Sequence, residues 1–233
     1  IFGWLKDVFS REGNENTPKP PVVLPEEPEE ESTKHGRLDA LSAGDHGIDI
    51  SHHNKNVNVA TIAKNEKFIF MKATEGKDFL SPVYHARMDK ALGLGATCSA
   101  YHYYKTNVPW QIQADHFLKH FKGNMSPVLD VEGIGNLDYD AKKHTPQVLL
   151  FLRYLKEKTG MTPVIYCGYY FARDTIKPTQ EFSEFPLWLP WYTKDFSKVK
   201  TPLPWRKISI HQYSESEVVE GVGKCDANIF LGL

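Results

Sequence analysis

The feature that most constrains this chain is an alternation. From residue 46 onward, short apolar runs of strand length recur: HGIDIS (46–51), KFIFMKAT (67–74), ATCSAYHYY (96–104), SPVLDVE (126–132), TPVIYCG (162–168), PLWLPWY (186–192), KISIHQYS (207–214) and KCDANIF (224–230). Between the first five lie helix-like stretches: VNVATIAKNE, PVYHARMDKALGLG, PWQIQADHFLKHF, and TPQVLLFLRYLKEKTG with Thr145 as cap and Gly160 as stop. A shorter helix is expected after Gly168, in YYFARDTI. Strands alternating with helices need crossover connections and a parallel sheet, and eight strands in under 200 residues favour a closed barrel over an open sheet. The second half has no room for all its helices. The expectation is an α/β fold, an irregular TIM-like (β/α) barrel of about five βα units followed by three further strands, some antiparallel.

The stretch ahead of the alternation reads differently. Residues 14–34 hold five prolines and a glutamate cluster, too little apolar surface to offset the entropy of ordering. Residues 14–45 are therefore expected to be a Pro/Glu-rich linker and 46–233 the catalytic barrel domain. Residues 1–13, IFGWLKDVFSREG, read as an N-terminal remnant, the end of an anchor or signal. Two basic side chains against seven acidic ones between residues 11 and 33 leave the rest of the chain mildly basic, weak grounds for an anionic partner. No run of 18 apolar residues occurs, so no spanning helix is expected. Cys98, Cys167 and Cys225 are an odd number without short spacing, and read as buried thiols rather than a disulfide framework or zinc site.

A barrel of this kind carries its chemistry at the C-terminal ends of its strands. There the sequence places Asp49, Lys72 and Glu75, Tyr101 and His102, Asp130 and Glu132, Tyr166, Trp191 and Tyr192, His211 and Gln212, and, early in the last run, Asp226. Asp130 and Glu132 are the most informative, because period two sends both carboxylates to one side of a strand while Val131 faces the other. A second like charge on one face is costly without a purpose. Four carboxylates ringed by aromatic rings suit glycoside hydrolysis, in which one carboxyl stays protonated as the acid and another stays ionised opposite it. No phosphate-binding loop is present, so neither a nucleotide cofactor nor a nucleic-acid partner is expected. The acids alone would also suit Mg²⁺ or Ca²⁺, but only Lys72 stands ready for a phosphate. His116 and His120 have the i, i+4 spacing of metal ligands, yet flank the apolar face set by Ala114, Phe117, Leu118 and Phe121. Neither metal nor cofactor is expected.

GIDIS, FIFMKATEG, GATCSAYHYY, PVLDVE, PVIYCG, LWLPWY, HQYS and CDANIF together resemble, in order and spacing, the family 25 glycoside hydrolases, the Ch-type lysozymes. The resemblance covers roughly residues 46–231. It implies an N-acetylmuramidase that cleaves the β-1,4 bond between N-acetylmuramic acid and N-acetylglucosamine on an irregular β/α barrel. It further implies Glu132 as general acid, Asp130 as the partner that orients the substrate acetamido group in a retaining mechanism, Asp49 and Asp226 as supporting acids, and Tyr101, Tyr166, Trp188, Tyr192 and Gln212 along the groove. The implied partner is the peptidoglycan glycan strand, met by an exported or envelope-bound monomer, with an N-terminal membrane tether as one route. Two departures fall near the expected groove: SHHNKNVN after the first motif, and His211 where a tryptophan is usual. A chitinase-like reading is disfavoured because Val128 and Met125 stand where that related pattern has further aspartates. A wall-binding module without catalysis is the remaining alternative. Strand geometry puts the Cα atoms of the D-x-E pair about 6.5 Å apart, and flexible side chains let the carboxyls lie ~5 to ~9 Å apart, which leaves retention and inversion both open.

Overall fold

Period two along each strand sorts the apolar residues into two layers. The computed structural model describes residues 34–233; residues 1–33, including the expected N-terminal remnant and most of the linker, lie outside the described residues. The strands are β1 (His46–Ile50), β2 (Phe68–Glu75), β3 (Phe79–Leu80), β4 (Cys98–Tyr103), β5 (Val128–Asp130), β6 (Val164–Tyr166), β7 (Leu187–Pro190), β8 (Ile210–Val219) and β9 (Gly223–Phe230). Seven of them run parallel in the ring order β1-β2-β4-β5-β6-β7-β8, and β9 closes the ring, antiparallel to both β8 and β1. All eight expected strands are present. The two-residue β3, too short to leave a pattern in the sequence, hangs antiparallel on the end of β2.

Helices α1 (Val59–Asn65), α2 (Tyr84–Gly93), α3 (Trp110–His120) and α4 (Ala141–Thr159) cover the outside of the first half. Asn58 caps α1 by accepting the N–H groups of Ala60 and Thr61. The cap of α4 is Asp140, which accepts Lys142 N–H, and not Thr145 as expected; Thr145 sits in the second turn and donates to Ile176 O instead. The longer helix places Pro146 inside it, while Gly160, in the left-handed conformation at φ 70°, ends it as expected. After β6 the chain makes a π-helical turn, Phe171–Ile176, and no full helix follows β7 or β8.

Ile48, Ile50, Ile69, Met71, Leu129, Ile165, Leu187 and Leu189 face outward against Ile62, Met88, Phe117 and Leu152 of the helices. Phe68, Phe70, Val128, Val164, Tyr166, Trp188, Ile210 and Phe230 fill the inside. Gly47 faces inward where a Cβ would come within 2.5 Å of Phe68 O, so only glycine fits that approach. The inner layer is closed below by Leu38, fully buried on a 3₁₀ turn, Arg37–Ala40. Arg37 N–H donates to Asn124 O and Thr162 N–H to Lys34 O. The body therefore starts ahead of the expected boundary at His46: residues 34–45 pack as a plug under the barrel, and burial of Leu38 contributes about 2 kcal/mol.

Candidate active site

The same parity that sends Ile48 and Ile50 outward turns Asp49 inward. Its register partner across the β1–β9 pair is Asp226, and their carboxyls are hydrogen-bonded to each other. Asp49 is 5% exposed, and its Oδ2 accepts from two amides, Gln212 Nε2 at 2.9 Å and Asn228 Nδ2 at 2.8 Å. Each amide is itself fixed by an aromatic donor: Tyr166 Oη donates to Gln212 Oε1 at 3.0 Å and Trp188 Nε1 to Asn228 Oδ1 at 2.8 Å. These bonds favour the charged form of Asp49, but burial outweighs them and raises its pKa. Burial, the Asp49 charge and the hydrogen bond between them push Asp226 up to about 8. The proton therefore resides on Asp226, and Asp49 is the ionised member.

On the opposite wall, Asp130 ends β5, and Val131 N–H still bonds to Tyr166 O at 2.9 Å. This extends the pairing one residue and keeps Glu132 on the Asp130 side. Buried Asn136 ties down the loop that follows, donating to Glu132 O at 2.9 Å and Tyr104 O at 2.8 Å while accepting Thr106 N–H at 2.9 Å. Asp130 and Glu132 are hydrogen-bonded. Burial, then the Glu132 charge, raise Asp130 well above the usual carboxyl range. Burial also raises Glu132, opposed by its bond to Asp130 and by the Lys72 charge. Burial and mutual proximity thus push both carboxyls toward the protonated form, and the two share a proton and titrate as a unit. Asp130 Oδ1 is buried and has no hydrogen-bond partner among the described residues.

The two pairs line one cavity of about 170 Å³. The structure brings to it all nine residues expected from the sequence: Asp49, Asp130, Glu132 and Asp226 with Tyr101, Tyr166, Trp188, Tyr192 and Gln212. Burial and the surrounding carboxylates hold the Tyr101 hydroxyl well above its ordinary pKa, so it stays protonated. Tyr192 is an exposed rim residue, whereas Trp188 is 2% exposed and acts from the floor through Asn228. Sequence reasoning missed Glu215, which also lines the cavity, and Asn228. Asn228 stands two residues beyond Asp226 in one strand, so period two could have found it. Lys72 lies beside the mouth, paired with Glu75 at 2.8 Å and 4.6 Å above the Tyr103 ring.

The histidines divide. His52 packs at a tilt against His53 at 4.0 Å and Phe79 at 5.2 Å, after Asp49 on the mouth side. His211 faces outward, fully buried, with Nε2 bonded to Trp191 O at 2.7 Å; contrary to expectation, that departure is not in the groove. His116 bonds to Phe79 O and His120 to His85. Among the described residues no three His, Cys, Asp or Glu side chains are arranged to hold a metal ion.

A family model described as glycosyl hydrolases family 25 matches residues 48–222. Among relatives, an uncharacterized Escherichia coli K12 protein, YegX, is 30% identical over 197 residues, covering 80% of this chain and 70% of that protein. An autolytic lysozyme of Clostridium acetobutylicum is 28% identical over 189 residues, covering 79% of this chain and 55% of that protein. Among solved structures, the bacterial lysozyme from Streptomyces coelicolor superposes with a TM-score of 0.75 at 25% identity, covering 82% of this chain and 94% of that one.

Proposed function

Because the chain belongs to the glycosyl hydrolases of family 25 and is a glycosidase of the lysozyme kind, we propose that it is an N-acetylmuramidase, cleaving the β-1,4 bond between N-acetylmuramic acid and N-acetylglucosamine in peptidoglycan. The observation that carries this reading is the meeting of two proton-sharing carboxyl pairs, Asp49/Asp226 and Asp130/Glu132, in one cavity. The proposed reaction is retaining. A substrate acetamido N–H would satisfy the unpartnered Oδ1 of Asp130 and favour its ionised form, which passes the shared proton to Glu132. Glu132 then protonates the leaving glycosidic oxygen as the acetamido carbonyl oxygen bonds to the anomeric carbon. Water, deprotonated by Glu132, opens that intermediate. Ionised Asp49 and neutral Asp226 supply a fixed field at the developing positive charge.

Such a substrate places the protein at the cell envelope, acting as a monomer on glycan strands. Among the described residues no helix is long and apolar enough to cross a membrane. The test is a digest of purified peptidoglycan followed by borohydride reduction. Reduced muramic acid at the new termini is expected; reduced glucosamine, or bound protein without new termini, would overturn the reading. Glu132→Gln should lower kcat by about 10²–10⁴-fold with the fold intact.

A further inference from the structure

We propose that the surface beside the catalytic mouth, where Tyr169, Arg173, Lys177 and Leu203 meet the Tyr170–Trp191 stack, is a subsite for carboxylates of the peptide borne by the muramic sugar; this rests on the muramidase reading. Tyr192 lines the acid cavity, and the preceding residue, Trp191, packs 5.5 Å from Tyr169 and stacks on Tyr170 at 6.2 Å and 30°. Tyr170 is 62% exposed. Tyr169 in turn lines a second cavity of about 400 Å³ with Arg173, Lys177 and Leu203. An aromatic ridge thus joins the two cavities.

Their charges are opposite. The acid cavity is lined by five carboxyl side chains, Asp49, Asp130, Glu132, Glu215 and Asp226, and repels a peptide carboxylate. The second cavity presents two cations and no acid. Arg173 is paired with its neighbour Asp174 at 2.6 Å and lies 5.1 Å from the Tyr170 ring. Lys177 makes no ion pair among the described residues. It is also the only described non-glycine residue with positive φ, at 50°, and it directly follows the π-helical turn. Lysine rarely occupies that region, and strained positions and π-turns concentrate at binding sites. A muramic unit seated over the acids must send its peptide to one side, and the ridge leads to a patch in which two cations, Arg173 and Lys177, outnumber the one neighbouring acid, Asp174.

The test compares a soluble, uncrosslinked, peptide-bearing glycan with the same glycan stripped of peptide by an amidase. For the wild-type protein, kcat/KM should favour the peptide-bearing polymer by about tenfold. The double variant Arg173→Gln/Lys177→Asn should lose that preference through KM; asparagine tolerates the left-handed backbone, so the turn survives. In parallel, a dye-labelled muropeptide should bind Glu132→Gln protein about tenfold more weakly once the double substitution is added, read by fluorescence anisotropy. Equal wild-type rates on both polymers, or unchanged preference and binding in the double variant, overturn the subsite. Failure of the wild-type protein to cleave either polymer overturns the muramidase reading instead, and the anisotropy still reads the subsite.

Discussion

Asp49 and Asp226 are facing register partners across β1 and β9, one of the two antiparallel seams by which β9 closes the barrel. Two carboxyls held at that separation cannot both ionise cheaply, and the pair settles into one charge and one proton. The amides of Gln212 and Asn228, both aimed at Asp49 Oδ2, decide which member carries the charge.

Removing that charge should release its partner. In Asp49→Asn, Asp226 loses the neighbouring negative charge that helps to raise it, and its pKa should fall from about 8. A carbon-13 carboxyl titration reads this directly, and an Asp226 that still titrates near 8 would contradict the coupling.

Folding stability should depend on pH through the same group. The Asp226 carboxyl rises from its ordinary value of 3.8 to about 8 in the fold, so between these values the folded state binds more protons than the unfolded one. Its contribution is complete below the unfolded value and is lost as pH rises through the folded one. The raised pKa values of Asp49, Asp130 and Glu132 act in the same sense. Urea midpoints should therefore fall from about pH 6.5 to 8, above the range of histidine protonation, and Asp226→Asn should flatten that slope; an unchanged slope would refute it.

His102 works in the opposite sense. Burial lowers its pKa from 6.5 to about 3, with Thr74 Oγ1 2.8 Å from Nδ1 and Gln113 Oε1 3.2 Å from Nε2. Below 6.5 the unfolded chain takes up a proton that the folded one refuses, so stability present above 6.5 is lost as pH falls toward 3. Nitrogen-15 spectra of the folded protein at pH 5 should show a neutral ring with its proton on Nε2, donated to Gln113. An imidazole that titrates near 6.5 would be inconsistent with this burial.

Asn228→Ala orphans two groups at once, the Trp188 indole N–H and one acceptor site on Asp49. The expected loss is about 1–3 kcal/mol for each buried group left unpaired, seen as a lower urea midpoint, together with a fall in kcat. Full stability and activity would mean that Asp49 is held by Gln212 alone.

Leu38→Ala should cost about 2–5 kcal/mol, because the residue is fully buried against the lowest layer of the barrel. Chemical denaturation measures it, with kcat of the folded fraction unchanged. A chain begun at His46 should be destabilised at least as much.

The ring of eight strands was legible because inward and outward residues alternate along each run, and that alternation also picked out the site: Asp49 falls between Ile48 and Ile50, and Asp130 and Glu132 flank Val131. What escaped has no such periodicity. Leu38 and Leu41 lie in a stretch too short to set a period, and the importance of Leu38 comes from what it meets in space rather than from its neighbours in sequence. Glu215 belongs to β8 beyond the parallel part of the barrel, where SES alternates nothing apolar. Asp140 and Thr145 are both N-cap residue types, and they are told apart by their partners in the fold, Lys142 N–H for Asp140 and Ile176 O for Thr145. His211 sat next to Gln212 in a site motif, and a one-residue step sent it to the other face.

Because the closing strand runs backward, β9 ends beside the start of β1, with Ile229 opposite His46. Lys34 and Leu233 consequently border one cavity under the barrel, at the plugged end. A bead, dye or surface linkage joined at Leu233 would hold the molecule by its base and leave the cleft facing outward, so immobilised protein should remain open to a polymer too large to diffuse around it.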